Sequence, residues 1–136
     1  MPSAFRRSSW LDSLFTPEEL SRIRSLPTRQ NKYGFDPFGF HRDTFKGPLA
    51  VSRWLYRRYF RCEVHGLEHV PPGRVLLVSN HSGQLPFDGV NIACAMIFDD
   101  EPPRLVRSMV ERFVPELPFV GTLFSRVGQI VGSPEN

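Results

Sequence analysis

The chain has 136 residues, 40% of them hydrophobic and 23% charged, which is enough for one ordinary domain with a core and too apolar for global disorder. Its net charge of +3 is uneven: residues 1–74 carry thirteen Lys/Arg against seven Asp/Glu, and residues 75–136 carry four against seven. Fifteen of the seventeen cations are arginine, whose planar fork suits phosphate and lipid headgroups, although a high-GC genome that favours Arg codons would give the same bias.

In chain order, "MPSAFRRSSWLDSLF" lacks the continuous apolar core of a signal peptide. "FTPEELSRIRSL" then predicts a helix: Thr16 is the N-cap, Pro17 takes the first helical position, and Glu19 closes a capping box. Pro27 ends it by Leu26. Residues 29–47 form a turn-rich loop anchored by Phe35, Phe38, Phe40 and Phe45.

The stretch "PLAVSRWLYRRYF", residues 48–60, predicts a basic amphipathic helix with Val51, Trp54, Leu55 and Tyr59 on one face and Arg53, Arg57 and Arg61 largely on another. Two readings remain open. The apolar stripe packs on its own domain, or Trp54 with Arg57, Arg58 and Arg61 meets an anionic membrane surface.

"RCEVHGLEHVPPG" reads as a short strand and turn leading into "RVLLVSN", an apolar run typical of a strand buried on both faces. A helix over 88–98, a strand within "RLVRSMV", a helix in "PFVGTLFSRVG" and a strand starting at "QIV" follow. This order predicts an α/β fold: N-terminal helices followed by a partly parallel β-sheet with crossover helices, incomplete in this chain because the third strand has no closing element after it. The expected division is 1–47, an N-terminal helix and aromatic-rich loop; 48–61, the basic helix; and 62–136, the N-terminal part of an α/β domain.

Ligands of open α/β sheets sit at the carboxyl ends of strands, and His81 follows such an end in "VLLVSNHSGQLPFDG". A neutral imidazole can take a proton from an alcohol, and a carboxylate on its other nitrogen fixes the tautomer. Asp88 is the candidate partner. The alternative is a polar turn in which Asn80 and Ser82 satisfy the backbone, Asp88 caps a helix and His81 is incidental.

Other chemistry has less support. His65 and His69 are spaced like a zinc pair, but Gly66 and Pro71 argue against a helix there and no third ligand is evident. Ser82 lacks a nucleophile elbow. Cys62 and Cys94 fit no disulfide or metal spacing, so two free thiols in a reducing cytosol are expected. No apolar run approaches the roughly 18 residues needed to span a bilayer.

"VSNHSGQLPFDG" resembles the first motif of the glycerolipid acyltransferases, the lysophosphatidic acid acyltransferase-like (PlsC-type) family, usually N-H-x4-D after a strand. "EVHGLEHVPPGRVLLVSNH" resembles the family's V-x-G-x-E-x-P lead-in, and "PFVGTLFSRVGQI" its P-x-x-G, helix, G-x-I second block, so that the resemblance covers residues 63–136. It implies that His81 is the general base and Asp88 its orienting carboxylate, with Asn80, Ser82 and Gly83 lining the substrate and backbone N–H groups near Gly83 as candidate oxyanion donors. The spacing here is H-x6-D, as in a divergent N-H-S-G-x-x-P-x-D branch. Pro134 stands where the second block commonly ends in a phosphate-holding arginine, and the chain ends before a third, F-P-E-G-like block.

The implied reaction moves a fatty acyl group from acyl-CoA or acyl carrier protein to a lipid alcohol, with no cofactor, no metal and no nucleic-acid partner. The expected location is cytoplasmic, peripheral at the inner membrane face. A chain without the third block is expected to be weakly active or inactive alone. The rival expectations are a non-catalytic membrane-binding module and a hydrolase using the same His and Asp on water.

Overall fold

The structure, a computed structural model, describes residues 10–81, 85–113, 116 and 118–132. Helix α1 spans Pro17–Ser25, and its start follows from sequence: Glu19 N–H donates to the Thr16 hydroxyl at 3.2 Å, and Thr16 N–H donates back to the Glu19 carboxylate at 2.9 Å. Both ends of this box satisfy backbone donors that the first helical turn leaves unpaired. Thr16→Ala is therefore expected to cost about 1 kcal/mol, read as a lowered midpoint in urea unfolding with an unchanged slope.

The loop that follows is built by two side chains. Asn31 accepts from the N–H groups of Tyr33 and Phe35, and Asp36 from those of Phe38 and Phe40 at 2.9 Å each. These Asx contacts turn the chain twice within ten residues and bury Phe40 against Phe45 at 5.1 Å between ring centroids. Buried Asp36 also receives Arg107, whose guanidinium lies over the Phe38 ring at 5.0 Å. The loop is thereby fastened to the segment entering the sheet.

Helix α2 runs Arg42–Trp54, six residues earlier than expected from Pro48, which lies inside it. Its true start is His41, whose Nδ1 accepts from Thr44 N–H at 3.2 Å while its backbone N–H donates to Arg126 O at 3.1 Å. The cap, rather than the proline, sets the boundary. A π-helical turn, Leu55–Tyr59, continues α2 and closes with Phe60 N–H on Leu55 O at 2.8 Å.

The buried face of this helix is Phe45, Leu49 and Tyr56; Val51, Trp54 and Tyr59 are exposed. The apolar stripe expected from the helical wheel is thus the outer face, and the packed-stripe alternative does not hold for Val51, Trp54 and Tyr59. Phe45, Leu49 and Tyr56 recur at helical intervals of four and seven, but the aromatic and aliphatic residues on both sides of α2 make the wheel ambiguous.

Helix α3, Phe87–Phe98, lies against α1 and α2. Its Cys94, Ala95, Ile97 and Phe98 join Phe15, Ile23, Leu26, Phe40, Phe45, Leu49 and Tyr56 in one core. Burying a side chain such as Ile97 or Phe40 contributes roughly 1.5–3 kcal/mol. Arg22 of α1 closes the contact, donating to Asp100 O at 2.8 Å and to the Glu101 carboxylate at 3.1 Å.

Strand β1, Met109–Val110, pairs in parallel with β2, Ile130–Val131, in the register Met109 with Ile130 and Val110 with Val131. Helix α4, Val120–Arg126, connects them. Gly128, at φ 93°, makes the turn from α4 into β2, where a Cβ would come within 3.4 Å of Phe40 and 3.8 Å of Leu105. The left-handed backbone there favours glycine, since any side chain would be strained. The result is the expected α/β class: N-terminal helices with a small parallel sheet and a crossover helix.

Two strand expectations fail. Residues 61–66 are irregular and lead into a 3₁₀ turn at Leu67–His69, because Arg61 and Gly66 both take positive φ and Cys62 N–H folds back to Tyr56 O at 3.0 Å. Residues 74–80 form no ladder among the described residues, with Leu76 79% and Val78 86% exposed. An apolar run becomes a strand only where a partner supplies hydrogen bonds, and here the two paired strands lie elsewhere.

Candidate active site

His81 and Asp88 come together. The Nδ1 of His81 lies 2.8 Å from Asp88 Oδ2 and 3.0 Å from Oδ1. A carboxylate only accepts, so Nδ1 carries the proton and the Nε2 lone pair is left for an external donor. The seven-residue separation is bridged because Pro86 begins α3 and places Asp88 in its first turn. There the helix dipole favours negative charge, and Asp88 Oδ1 also accepts from Gly89 N–H at 2.7 Å.

Pro86, not Asp88, occupies the N-cap, and the Asp88 carboxylate serves both the first turn of α3, through Gly89 N–H, and His81. The base of α3 abuts the sheet: a Cβ on Gly89 would stand 3.7 Å from Ser108 Oγ, and Ser108 O accepts from Ile130 N–H at 3.1 Å. The His–Asp pair therefore sits beside the entry to β1.

Asn80 is exposed next to His81, while Ser82 and Gly83 lie outside the described residues, as does Pro134. The other three histidines have different company. His41 caps α2, and His65 and His69 are surface groups beside Glu63 and Glu68 at 3.9 and 3.5 Å. Among the described residues no three His, Cys, Asp or Glu side chains form a group able to hold a metal ion.

Both cysteines are free thiols. Burial pushes the Cys94 thiol up to about 12 and raises that of Cys62 as well, so near neutral pH both stay protonated and are poor nucleophiles. Burial, with a hydrogen bond donated to Asp99, also holds the Tyr56 hydroxyl protonated well above its usual range. Asp99 takes Arg57 too, a pairing that sequence spacing of 42 residues could not have suggested.

The four residues read as a basic surface thus divide. Arg57 is held in an ion pair with Asp99, whereas Trp54, Arg58 and Arg61 are exposed and the two arginines make no ion pair among the described residues. Arg53, on the same surface, pairs with Glu19. No helix of the described residues is long and apolar enough to cross a membrane.

A histidine held by a carboxylate through Nδ1 can accept a proton from an alcohol or from water at Nε2. The family model described as Acyltransferase matches residues 61–136. The chain belongs to this family, the PlsC-type glycerolipid acyltransferases. It is similar to the uncharacterized protein ML2427 of Mycobacterium leprae, 35% identical over 102 residues, which cover 74% of this chain and 27% of that protein. The uncharacterized proteins Mb0514 of Mycobacterium bovis and Rv0502 of Mycobacterium tuberculosis are each 35% identical over 100 residues, covering 71% of this chain and 27% of theirs. The chain thus spans about a quarter of the length of these curated relatives. No solved structure matches it.

Proposed function

We propose that the protein transfers a fatty acyl group from an acyl thioester, of CoA or acyl carrier protein, to the hydroxyl of a glycerolipid or other lipid alcohol. His81 is the general base and Asp88 its orienting carboxylate. The observation that carries this reading is the contact of His81 Nδ1 with both carboxylate oxygens of Asp88.

In the reaction, Nε2 of His81 takes the hydroxyl proton as the alcohol oxygen bonds to the thioester carbonyl carbon. Asp88 stabilises the imidazolium. Collapse of the tetrahedral intermediate breaks the carbon–sulfur bond, and the leaving thiolate recovers the proton from His81. No covalent enzyme intermediate, metal or cofactor enters these steps. In this reading Asn80, Ser82 and Gly83 are the substrate-binding residues, and Trp54, Arg58 and Arg61, with Arg57 held by Asp99 beside them, are the membrane contact of a peripheral protein at the cytoplasmic face.

The second reading, a membrane-binding module without catalysis, is favoured by the exposure of Trp54 and Tyr59 beside arginines. Incubation with labelled acyl-CoA or acyl carrier protein and a panel of lipid alcohols separates the two. Labelled lipid ester supports transfer, free fatty acid alone supports a hydrolase, and vesicle binding with neither product supports the module.

A further inference from the structure

Four aromatic rings form an unbroken line on the outside of the protein. Trp54 and Tyr59 stack with centroids 6.4 Å apart and an interplanar angle of 28°. Tyr59 meets Phe60 edge-on at 4.9 Å, and Phe60 meets Phe87 at 5.3 Å. Each spacing lies within the range of favourable ring pairs. Phe87 directly precedes Asp88, so the line runs from the arginine surface of α2 to the His81–Asp88 pair.

The π-helical turn explains how the first two rings meet. At 3.6 residues per turn, positions five apart diverge by about 140°, which would separate Trp54 from Tyr59. The wider turn brings them to one side. Such turns recur at functional sites, and while this one turns Tyr56 into the core, it leaves the ring line outside: Trp54 remains 56% and Tyr59 65% exposed, with Phe60, Leu85 and Phe87 exposed too.

Charge flanks the line asymmetrically. Arg58 and Arg61 lie within the same segment, exposed and without ion pairs among the described residues. Aromatic rings with polar tips beside arginines match the headgroup layer of an anionic bilayer, where rings enter the acyl boundary and guanidinium groups meet phosphate.

We propose that Trp54, Tyr59, Phe60 and Phe87 form one insertion ridge that seats in an anionic lipid bilayer and opens the His81–Asp88 site onto the membrane plane, so that the acceptor reaches His81 without leaving the lipid phase. The ridge extends the membrane contact beyond α2 to the doorstep of the site. Only the acceptor's route rests on the acyl-transfer reading; the seating does not.

The test uses the full chain in a Trp10→Phe background, which leaves Trp54 as the one tryptophan. With vesicles of mixed phosphatidylcholine and phosphatidylglycerol, Trp54 emission should shift to the blue and be quenched by brominated acyl chains. Tyr59→Ser, Phe60→Ser and Phe87→Ser should each weaken partitioning about ten-fold, with Tyr59→Ser, the most exposed of the three, guarding against a folding defect. Arg58→Glu with Arg61→Glu should abolish the preference for anionic over neutral vesicles. His81→Ala should partition like the parent.

An unshifted Trp54, partitioning unaltered by the three serine variants, or burial of Trp54 by self-association without lipid would overturn the ridge. Partitioning that follows the ridge while only free fatty acid forms would leave the ridge standing and remove the acyl-transfer reading. Transfer to a detergent-dispersed acceptor without vesicle partitioning would do the reverse.

Discussion

His81→Ala is expected to lower acyl transfer by about 10²–10⁴-fold, the usual contribution of a positioned general base, while leaving the fold intact because the His81 side chain is exposed. Asp88→Asn is the sharper variant. An amide at that position presents an N–H₂ group that can satisfy Nδ1 as an acceptor, which moves the imidazole proton to Nε2 and removes the lone pair that faces the alcohol. In a Ser–His–Asp triad the same exchange costs about 10⁴-fold through the wrong tautomer, so a loss comparable to that of His81→Ala is expected here. Asp88→Ala removes the orientation without enforcing that tautomer and should fall between parent and Asp88→Asn. Initial rates of labelled ester formation, with circular dichroism of each variant, decide the matter. Transfer by His81→Ala at the parent rate would end the assignment of His81 as base.

Much of what positions this pair was legible because its causes are local. The Thr16 capping box and the helix expected over 88–98 each depend on a few adjacent residues; the box stands where the sequence puts it and α3 starts one residue earlier, at Phe87. Local chemistry does not, however, decide partners far along the chain. Residues 75–79 have the composition of a buried strand but no ladder among the described residues, since pairing is a property of two segments. The ion pair of Asp36 with Arg107 and that of Arg57 with Asp99 join positions 71 and 42 residues apart.

The helical wheel of α2 misled for a related reason. It carries apolar residues on more than one side, and the buried side is the one whose Phe45, Leu49 and Tyr56 share a core with Cys94, Ala95, Ile97 and Phe98 of α3. The π turn then regrouped Trp54 and Tyr59 in a way that no fixed helical period anticipates. For the site, the sequence supplied the two residue types and left open whether H-x6-D spacing lets them touch. The helix start at Pro86 closes that gap, with Asp88 reaching Nδ1 at 2.8 Å.

Lys46→Met is expected to be the most destabilising exchange of a polar residue in the N-terminal half. Lys46 Nζ donates to Asp12 Oδ1 at 2.6 Å and to Asp43 Oδ1 at 3.2 Å, and both Lys46 and Asp12 are buried. The pair holds the 3₁₀ turn Trp10–Leu14, and with it Phe15, against α2. Removing one partner of a buried pair leaves the other charge without compensation, at about 3–5 kcal/mol. Arg24, 3.5 Å from Asp12 Oδ2, offers partial relief, which places the loss nearer 3 kcal/mol, or about 10 °C in melting temperature for a chain of this size. Asp12→Leu combined with Lys46→Met removes both charges and should recover most of that loss.

The same pair gives a pH signature. The hydrogen bond from Lys46 holds the Asp12 carboxyl below its ordinary value, with burial opposing and the charges of Lys46 and Arg24 assisting. A carboxyl depressed in the folded state stabilises fully above its unfolded pKa, about 3.9, and ceases to do so as the pH falls through the lower folded value. Melting temperatures measured from pH 7 down to pH 2 should therefore fall more steeply below about pH 4 in the parent than in the double variant. Equal slopes in that range would mean that Asp12 and Lys46 contribute no pH-linked stability.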